Sequence, residues 1–188
     1  DILSATKTAV MDDYVANDDV TYIISIVNSG TTALTGLTIT DNLGGYAFDA
    51  TTLYPLTYVD GSIQYYRNGV LQSAPTVAAG PPLVISGIDV PAGGNTLIIY
   101  EAQVNQYAPL GVNDTIQNEA VITGNGLSNP ITVTETISTE DIPDLTISKC
   151  VCPPAIAENG QLTYTFIILN SGNTAAVAAD NVKITDTF

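Results

Sequence analysis

Histidine and tryptophan are absent from this chain, and basic residues are scarce: four lysines and arginines face nineteen acidic residues, a formal net charge of −15. Without histidine, the commonest general base and metal ligand is missing. So negative a chain repels phosphate, which excludes a nucleic-acid surface and disfavours an anionic membrane surface. No apolar run approaches the ~18 residues needed to span a bilayer, and no signal peptide is visible. The only cysteines are Cys150 and Cys152, too few for a zinc site without histidine. No metal or other cofactor is expected.

Hydrophobic residues make up 45% of the chain and charged residues 12%. That is too apolar for an acidic disordered tail. Abundant Tyr, Thr, Val and Ile favour all-β structure. The length of 188 residues suits one full domain and part of a second. A start at Asp1 rather than Met is expected of a processed chain or of a segment of something longer.

Strand-like runs are expected at residues 2–10, 20–28, 34–43, 56–66, 69–72, 82–90, 95–106, 115–123 and 130–138, with no convincing helical period. Turn signals separate several of them, as at Asp60-Gly61, Asn68-Gly69 and Asn125-Gly126. Arg67-Asn68-Gly69 fits a type I′ hairpin. The number and spacing of strands predict an Ig-like antiparallel β-sandwich.

The chain also repeats itself. Lys7 and Lys149, Tyr22 and Tyr164, and Asn28-Ser29-Gly30 and Asn170-Ser171-Gly172 are each 142 positions apart. After a three-residue insertion, Thr38-Ile39-Thr40-Asp41 is answered by Lys183-Ile184-Thr185-Asp186. The expected organisation is a sandwich over residues 1–140, a Pro-containing acidic linker at 141–144 and a partial second repeat of about three strands at 145–188. Tyr164, Phe166, Ile168, Val182, Ile184 and Phe188 would then form an apolar face, completed by another chain or by residues beyond Phe188.

A Lys-bearing first strand is followed by the run Val20-Thr21-Tyr22-Ile23-Ile24-Ser25-Ile26-Val27-Asn28-Ser29-Gly30. Leu37-Thr38-Ile39-Thr40-Asp41 and Asn118-Glu119-Ala120-Val121 come later. This order resembles the "domain of unknown function 11" conserved repeat. The resemblance covers one and a third copies, nearly the whole chain. It implies Ig-like modules in tandem in large bacterial and archaeal surface proteins, and hence an extracellular place on a cell or spore surface.

Strand parity singles out three polar residues. Leu3, Ala5, Lys7 and Ala9 share one face, so Lys7 points inward. By the same reading Asp41 joins Leu37, Ile39 and Leu43, and Asn118 joins Ile116, Ala120 and Ile122. In a dry core a lysine can lose its proton and attack an Asn amide while a neighbouring carboxyl carries protons, giving an isopeptide and ammonia. Desolvation lowers the pKa of the amine and raises that of the acid, which suits both. The order Lys, Asp, Asn is similar to that of self-crosslinking domains of Gram-positive pilins and collagen-binding adhesins. By that resemblance Lys7 is the nucleophile, Asn118 the electrophile and Asp41 the catalyst, with Lys149 and Asp186 their counterparts in the second repeat. Glu101 is a rival catalyst, but Ile98, Tyr100, Ala102 and Val104 occupy the buried face of its strand. The alternative is a Lys7–Asp41 salt bridge with Asn118 hydrogen-bonding nearby.

Cys150 and Cys152 share the outward face of their strand, at the upper limit of disulfide reach. They are expected to bond to another chain rather than to each other; free thiols partly covered by the rest of the domain are the alternative. Asp12, Asp13, Asn17, Asp18 and Asp19 could offer oxygens to calcium, but the spacing matches no EF-hand loop and solvated carboxylates are the plainer reading. Asn113-Asp114-Thr115 is a formal glycosylation sequon. These readings point to a non-enzymatic structural subunit of an extracellular filament, appendage or surface layer. Its partners would be copies of itself, head to tail, or other surface proteins. The alternative is an adhesin repeat that binds a host or matrix ligand through loops, for which Tyr54, Tyr58, Tyr65 and Tyr66 form a candidate aromatic cluster.

Overall fold

The structure, a computed structural model, describes residues 2–187. It divides into two compact units, Asp1–Thr139 and Glu140–Phe188. Strands β1 (Leu3–Ala9), β2 (Asp13–Tyr14), β3 (Asp19–Asn28), β4 (Leu34–Asp41), β5 (Tyr46–Phe48), β6 (Thr51–Leu53) and β7 (Leu56–Tyr58) open the first unit. They are followed by β8 (Gln64–Arg67), β9 (Val70–Leu71), β10 (Thr76–Ala78), β11 (Leu83–Val90), β12 (Asn95–Val104), β13 (Thr115–Thr123) and β14 (Ile131–Thr139).

Two six-stranded sheets form a sandwich. One runs β1-β3-β12-β8-β9, with β7 also paired to β12; the other runs β10-β11-β4-β13-β14-β2. Pairing is antiparallel except between β14 and β2. The all-β antiparallel sandwich read from the sequence is therefore the architecture found. Alternation explains it: every second residue of β3, β12 and β13 is buried, and the inward sets, rich in Ile, Leu, Val and Tyr, pack into one core between the sheets.

The expected strand 56–66 is broken. Val59–Ser62 turns out of line at Gly61, whose φ is +77°, and Ser62 Oγ takes the Glu101 N–H at 3.0 Å. β7 and β8 thus pair with successive stretches of the same neighbour, β12. At Asn68-Gly69, φ values of 47° and 79° join β8 to β9 through the expected two-residue hairpin. The short β5, β6 and β10 lack an alternating apolar face and were not foreseen.

Asn28 explains one repeated motif. Fully buried, its side chain donates to the Thr32 carbonyl at 2.9 Å and accepts the Gly30 N–H at 2.9 Å. In the second unit Asn170 donates to Thr174 O at 2.7 Å and accepts the Gly172 N–H at 3.1 Å. That unit pairs β15 (Leu145–Cys152) with β16 (Thr163–Asn170). Its expected third strand does not form: Asn181 to Thr187 has no β-ladder. In the first unit the corresponding β4 is flanked by β11 and β13, which have no counterpart among the described residues of the second. Phe188, assigned by the sequence to the apolar face there, lies outside the described residues.

Candidate functional site

Asp41 is the last residue of β4, and local chemistry fixes its carboxylate. Its Oδ1 accepts the Leu43 N–H at 2.9 Å, and Asn42 Oδ1 accepts the Gly44 N–H at 2.9 Å. These Asx turns, with Leu43 at φ 50° and Gly44 at φ 72°, stop the strand short of the expected residue 43 while keeping Leu43 buried. With Oδ1 committed to backbone, Oδ2 is left for the core.

Two groups from the opposite sheet meet that oxygen. Lys7, on edge strand β1 opposite Ile24, places Nζ 2.6 Å from Asp41 Oδ2. Tyr100, on β12 opposite Tyr22, donates its hydroxyl hydrogen to the same atom. Asn118 arrives from β13, two residues along the same face from Ala120, the residue paired with Asp41. Its Nδ2 donates to Tyr100 Oη at 3.3 Å. A hydrogen-bonded line thus runs Lys7, Asp41, Tyr100, Asn118 across the two sheets. The side chains of Lys7 and Asp41 are both 0% exposed.

Burial pushes the Lys7 pKa below its ordinary value, against the opposing pull of the Asp41 charge and hydrogen bond and of Glu119 and Glu135. A lysine so placed yields its proton more readily than one in water. Burial, and then the Asp41 charge, hold the Tyr100 and Tyr22 hydroxyls well above the ordinary tyrosine range, so both stay protonated. Lys7 Nζ lies 5.1 Å from the Tyr22 ring centre and 6.0 Å from that of Tyr100. The two rings stack at 5.6 Å and 22°.

Among the described residues, two buried side-chain polar atoms make no hydrogen bond of ordinary geometry: Asn118 Oδ1 and Tyr22 Oη. Each such atom costs roughly 1–3 kcal/mol, so a folded core that keeps two of them in one cluster invites a chemical explanation.

The three residues singled out by parity are therefore brought together. Glu101 is not: it lies on the opposite face of β12 from Tyr100. Sequence reasoning missed Tyr100 and Tyr22 as site residues, although the 142-residue repeat already ties Tyr22 to Lys7. It also missed Glu135, which shares the inward face of β14 with Val133 and Ile137. Glu135 Oε1 accepts the Ala9 N–H at 3.1 Å and so ties edge strand β1 to the other sheet.

The second unit holds an open version of the site. Lys149 Nζ lies 2.5 Å from Asp186 Oδ1 and 4.2 Å from the Tyr164 ring centre, with the Lys149 and Asp186 side chains 35% and 21% exposed. The described residues of this unit include no counterparts of β12 and β13, the strands that carry Tyr100 and Asn118. Cys150 and Cys152 are free and exposed.

The candidate aromatic cluster is divided, with Tyr54 and Tyr66 half-buried and the other two in the core. Tyr58 and Tyr65 are buried; Tyr58 packs near Tyr100 at 6.4 Å, and the Tyr65 hydroxyl bonds the Asp89 carbonyl at 3.2 Å. These rings stabilise the core instead of lining a loop. In the acidic loop Asp18 Oδ2 caps the Val15 N–H at 2.9 Å, and among the described residues no group of three or more His, Cys, Asp or Glu is placed to hold a metal ion. Asn113 of the sequon is exposed in the loop before β13, at φ 61°. No described helix is long and apolar enough to cross a membrane.

No family model and no curated protein matches the chain. Solved structures do. BcpA, the major pilin subunit of Bacillus cereus, superposes with a TM-score of 0.53 at 10% identity, over 90% of this chain and 56% of that one. The Corynebacterium diphtheriae major pilin SpaA gives 0.52 at 14% identity, over 90% and 53%. The full-length major pilin SpaD from the same organism gives 0.51 at 16%, over 86% and 39%. At these identities the likeness establishes a shared fold. The chain spans about half the length of the pilins it matches. SpaA is described in terms of a modular pilus assembly and stabilising isopeptide bonds.

Proposed function

We propose that the chain is a structural module of an extracellular filament, appendage or surface layer, and that Lys7 and Asn118 join in an intramolecular isopeptide bond across its two sheets. The observation that carries this reading is the buried line Lys7–Asp41–Tyr100–Asn118, which ends on an Asn whose carbonyl oxygen has no partner. The pilin fold and the resemblance to tandem surface repeats support the same setting. Partners are then copies of the chain, head to tail, or other surface proteins, at the cell or spore surface.

The chemistry balances without a cofactor. Lys7 passes a proton to Asp41 Oδ2, and the neutral amine attacks Cγ of Asn118. The protonated Asp41 then donates to Tyr100 Oη while the Tyr100 hydroxyl gives its own proton to Nδ2. The second Nζ proton passes to Asp41 Oδ2, which is a carboxylate again after the relay and ends protonated; the Cγ–Nδ2 bond breaks, one ammonia leaves, and Lys7 Nζ keeps a single hydrogen in the new amide. Desolvation favours each step by destabilising the Lys7–Asp41 ion pair relative to the neutral forms.

Intact-mass spectrometry of the folded chain tests the proposal. One ammonia less than the sequence mass is expected, with the full mass restored in Lys7→Ala. A folded chain of full mass leaves a salt bridge only.

A further inference from the structure

The isopeptide reading assigns roles to Lys7, Asp41, Tyr100 and Asn118 but leaves the second orphaned atom of the cluster, Tyr22 Oη, without one. We infer that Tyr22 is a catalytic residue of the crosslinking step, its hydroxyl donating a hydrogen bond to Asn118 Oδ1 as that oxygen becomes negative. This inference rests on the isopeptide reading and extends it to a fifth residue.

Three observations converge on Tyr22. Its hydroxyl is fully buried and makes no hydrogen bond of ordinary geometry, and the other such side-chain atom among the described residues is the oxygen on which charge must develop, Asn118 Oδ1. A donor and an acceptor left unpaired in one core are matched when the amide carbonyl becomes a tetrahedral oxyanion. The ring is also fixed: it stacks on Tyr100, whose hydroxyl receives the Asn118 N–H, and it lies 5.1 Å from the attacking Nζ. Finally, the repeat carries lysine, tyrosine and aspartate as a set. Lys149, Tyr164 and Asp186 reproduce Lys7, Tyr22 and Asp41 in contact as well as in sequence, whereas Val20 and Ile24, equally buried in β3, are answered by Leu162 and Phe166. A tyrosine kept where other core positions vary is a tyrosine kept with its lysine.

Burial, and then the Asp41 charge, hold the Tyr22 hydroxyl in its protonated form against a weaker lowering pull from the adjacent Asn118 amide. A donor must be protonated to serve an oxyanion. When Lys7 Nζ attacks Cγ, the C=O electron pair moves to Oδ1, and the Tyr22 O–H shares its hydrogen with that oxygen without releasing it. As the Cγ–Nδ2 bond breaks, the pair returns and the hydrogen bond relaxes. No proton is consumed at Tyr22, so the overall balance of one ammonia lost is unchanged. In a site closed to bulk solvent, a preorganised donor of this kind is worth far more than in water.

The test follows the reaction in time. The full chain, recovered unfolded in denaturant and still at full mass, is refolded by dilution and sampled by intact-mass spectrometry, with circular dichroism reporting the fold. Tyr22→Phe keeps the ring and removes only the hydroxyl; its first-order rate of ammonia loss should fall about 100-fold, the effect of deleting one oxyanion donor. A second variant carries 3,5-difluorotyrosine at position 22, which keeps the hydroxyl and makes it a stronger donor; it should react faster than wild type. If folded Tyr22→Phe loses ammonia at the wild-type rate, the inference is overturned while the crosslink stands. Should Tyr22→Phe fail to fold, the fluorinated chain decides: faster loss supports the role, and an unchanged rate overturns it. A wild-type chain that folds and never loses ammonia overturns the isopeptide reading itself, and this inference with it.

Discussion

Replacing Asn118 by alanine separates a covalent core from an ionic one. If Lys7 and Asn118 are joined, the bond closes a loop of about 110 residues, and chain-entropy arguments developed for disulfides set its contribution at roughly 5 kcal/mol. The non-covalent losses are small beside this. Asn118→Ala removes the 3.3 Å hydrogen bond to Tyr100, worth about 1 kcal/mol. It also removes the orphaned Oδ1, which returns a similar amount. The Lys7–Asp41 pair stays intact. For a unit of this size roughly 4 °C accompanies each kcal/mol, so the midpoint of thermal unfolding should fall by about 20 °C. Lys7→Ala should be worse, because it also strands a fully buried carboxylate at a further cost of about 3–5 kcal/mol. The assay is calorimetry of wild type and both variants, with intact mass recorded on the same samples. An Asn118→Ala midpoint within about 5 °C of wild type, the range of a lost hydrogen bond alone, would refute the covalent account.

Three further outcomes are expected. In Asn118→Ala, which keeps the unreacted Lys7–Asp41 pair, the unfolded chain still holds a lysine proton at pH values where folded Lys7, its pKa lowered chiefly by burial, has begun to lose it. Its stability relative to Lys7→Met/Asn118→Ala should therefore rise with pH from that lowered pKa towards the ordinary lysine value, and a flat or falling difference in urea titrations contradicts the assignment. Asn28→Ala removes both halves of the turn formed with Thr32 and Gly30, two part-buried hydrogen bonds, and should destabilise the first unit by about 1–3 kcal/mol, at about 0.5–1.5 kcal/mol for each bond lost; a change below about 0.5 kcal/mol, the scale of an ordinary surface substitution, contradicts it. Exposed Cys150 and Cys152 should crosslink neighbouring subunits in native assemblies, giving a ladder on non-reducing electrophoresis that reductant collapses; ready alkylation of both thiols in the untreated assembly counts against it.

Much of this was legible from alternation alone. A period of two placed Lys7, Asp41 and Asn118 inward, and all three are buried. Parity gives a face, however, and not a meeting point. That Tyr100 reaches the carboxylate offered by Asp41 depends on one sheet's register, Tyr100 opposite Tyr22, facing the other's, Asp41 opposite Ala120. No local pattern encodes that juxtaposition. Glu135 was overlooked for a related reason: an acidic residue in a Thr-rich strand looks solvated until its neighbours Val133 and Ile137 are seen to share its face. The strand expected at 56–66 failed where Asp60-Gly61, a visible turn signal, lay inside an apolar run; turn chemistry won because Gly61 adopts a positive φ at no steric cost. Of the tyrosines read as a binding cluster, Tyr58 and Tyr65 went to the core because their rings add apolar area there, while the Tyr65 hydroxyl finds a backbone partner.

The most direct test of the central claim is tandem mass spectrometry of the native chain after digestion at acidic residues. The account predicts a branched peptide in which residues 2–12 and 115–119 are joined through Lys7 Nζ and Asn118 Cγ, with one ammonia missing. Recovery of the two peptides separately, each at full mass, from a chain shown to be folded would contradict it.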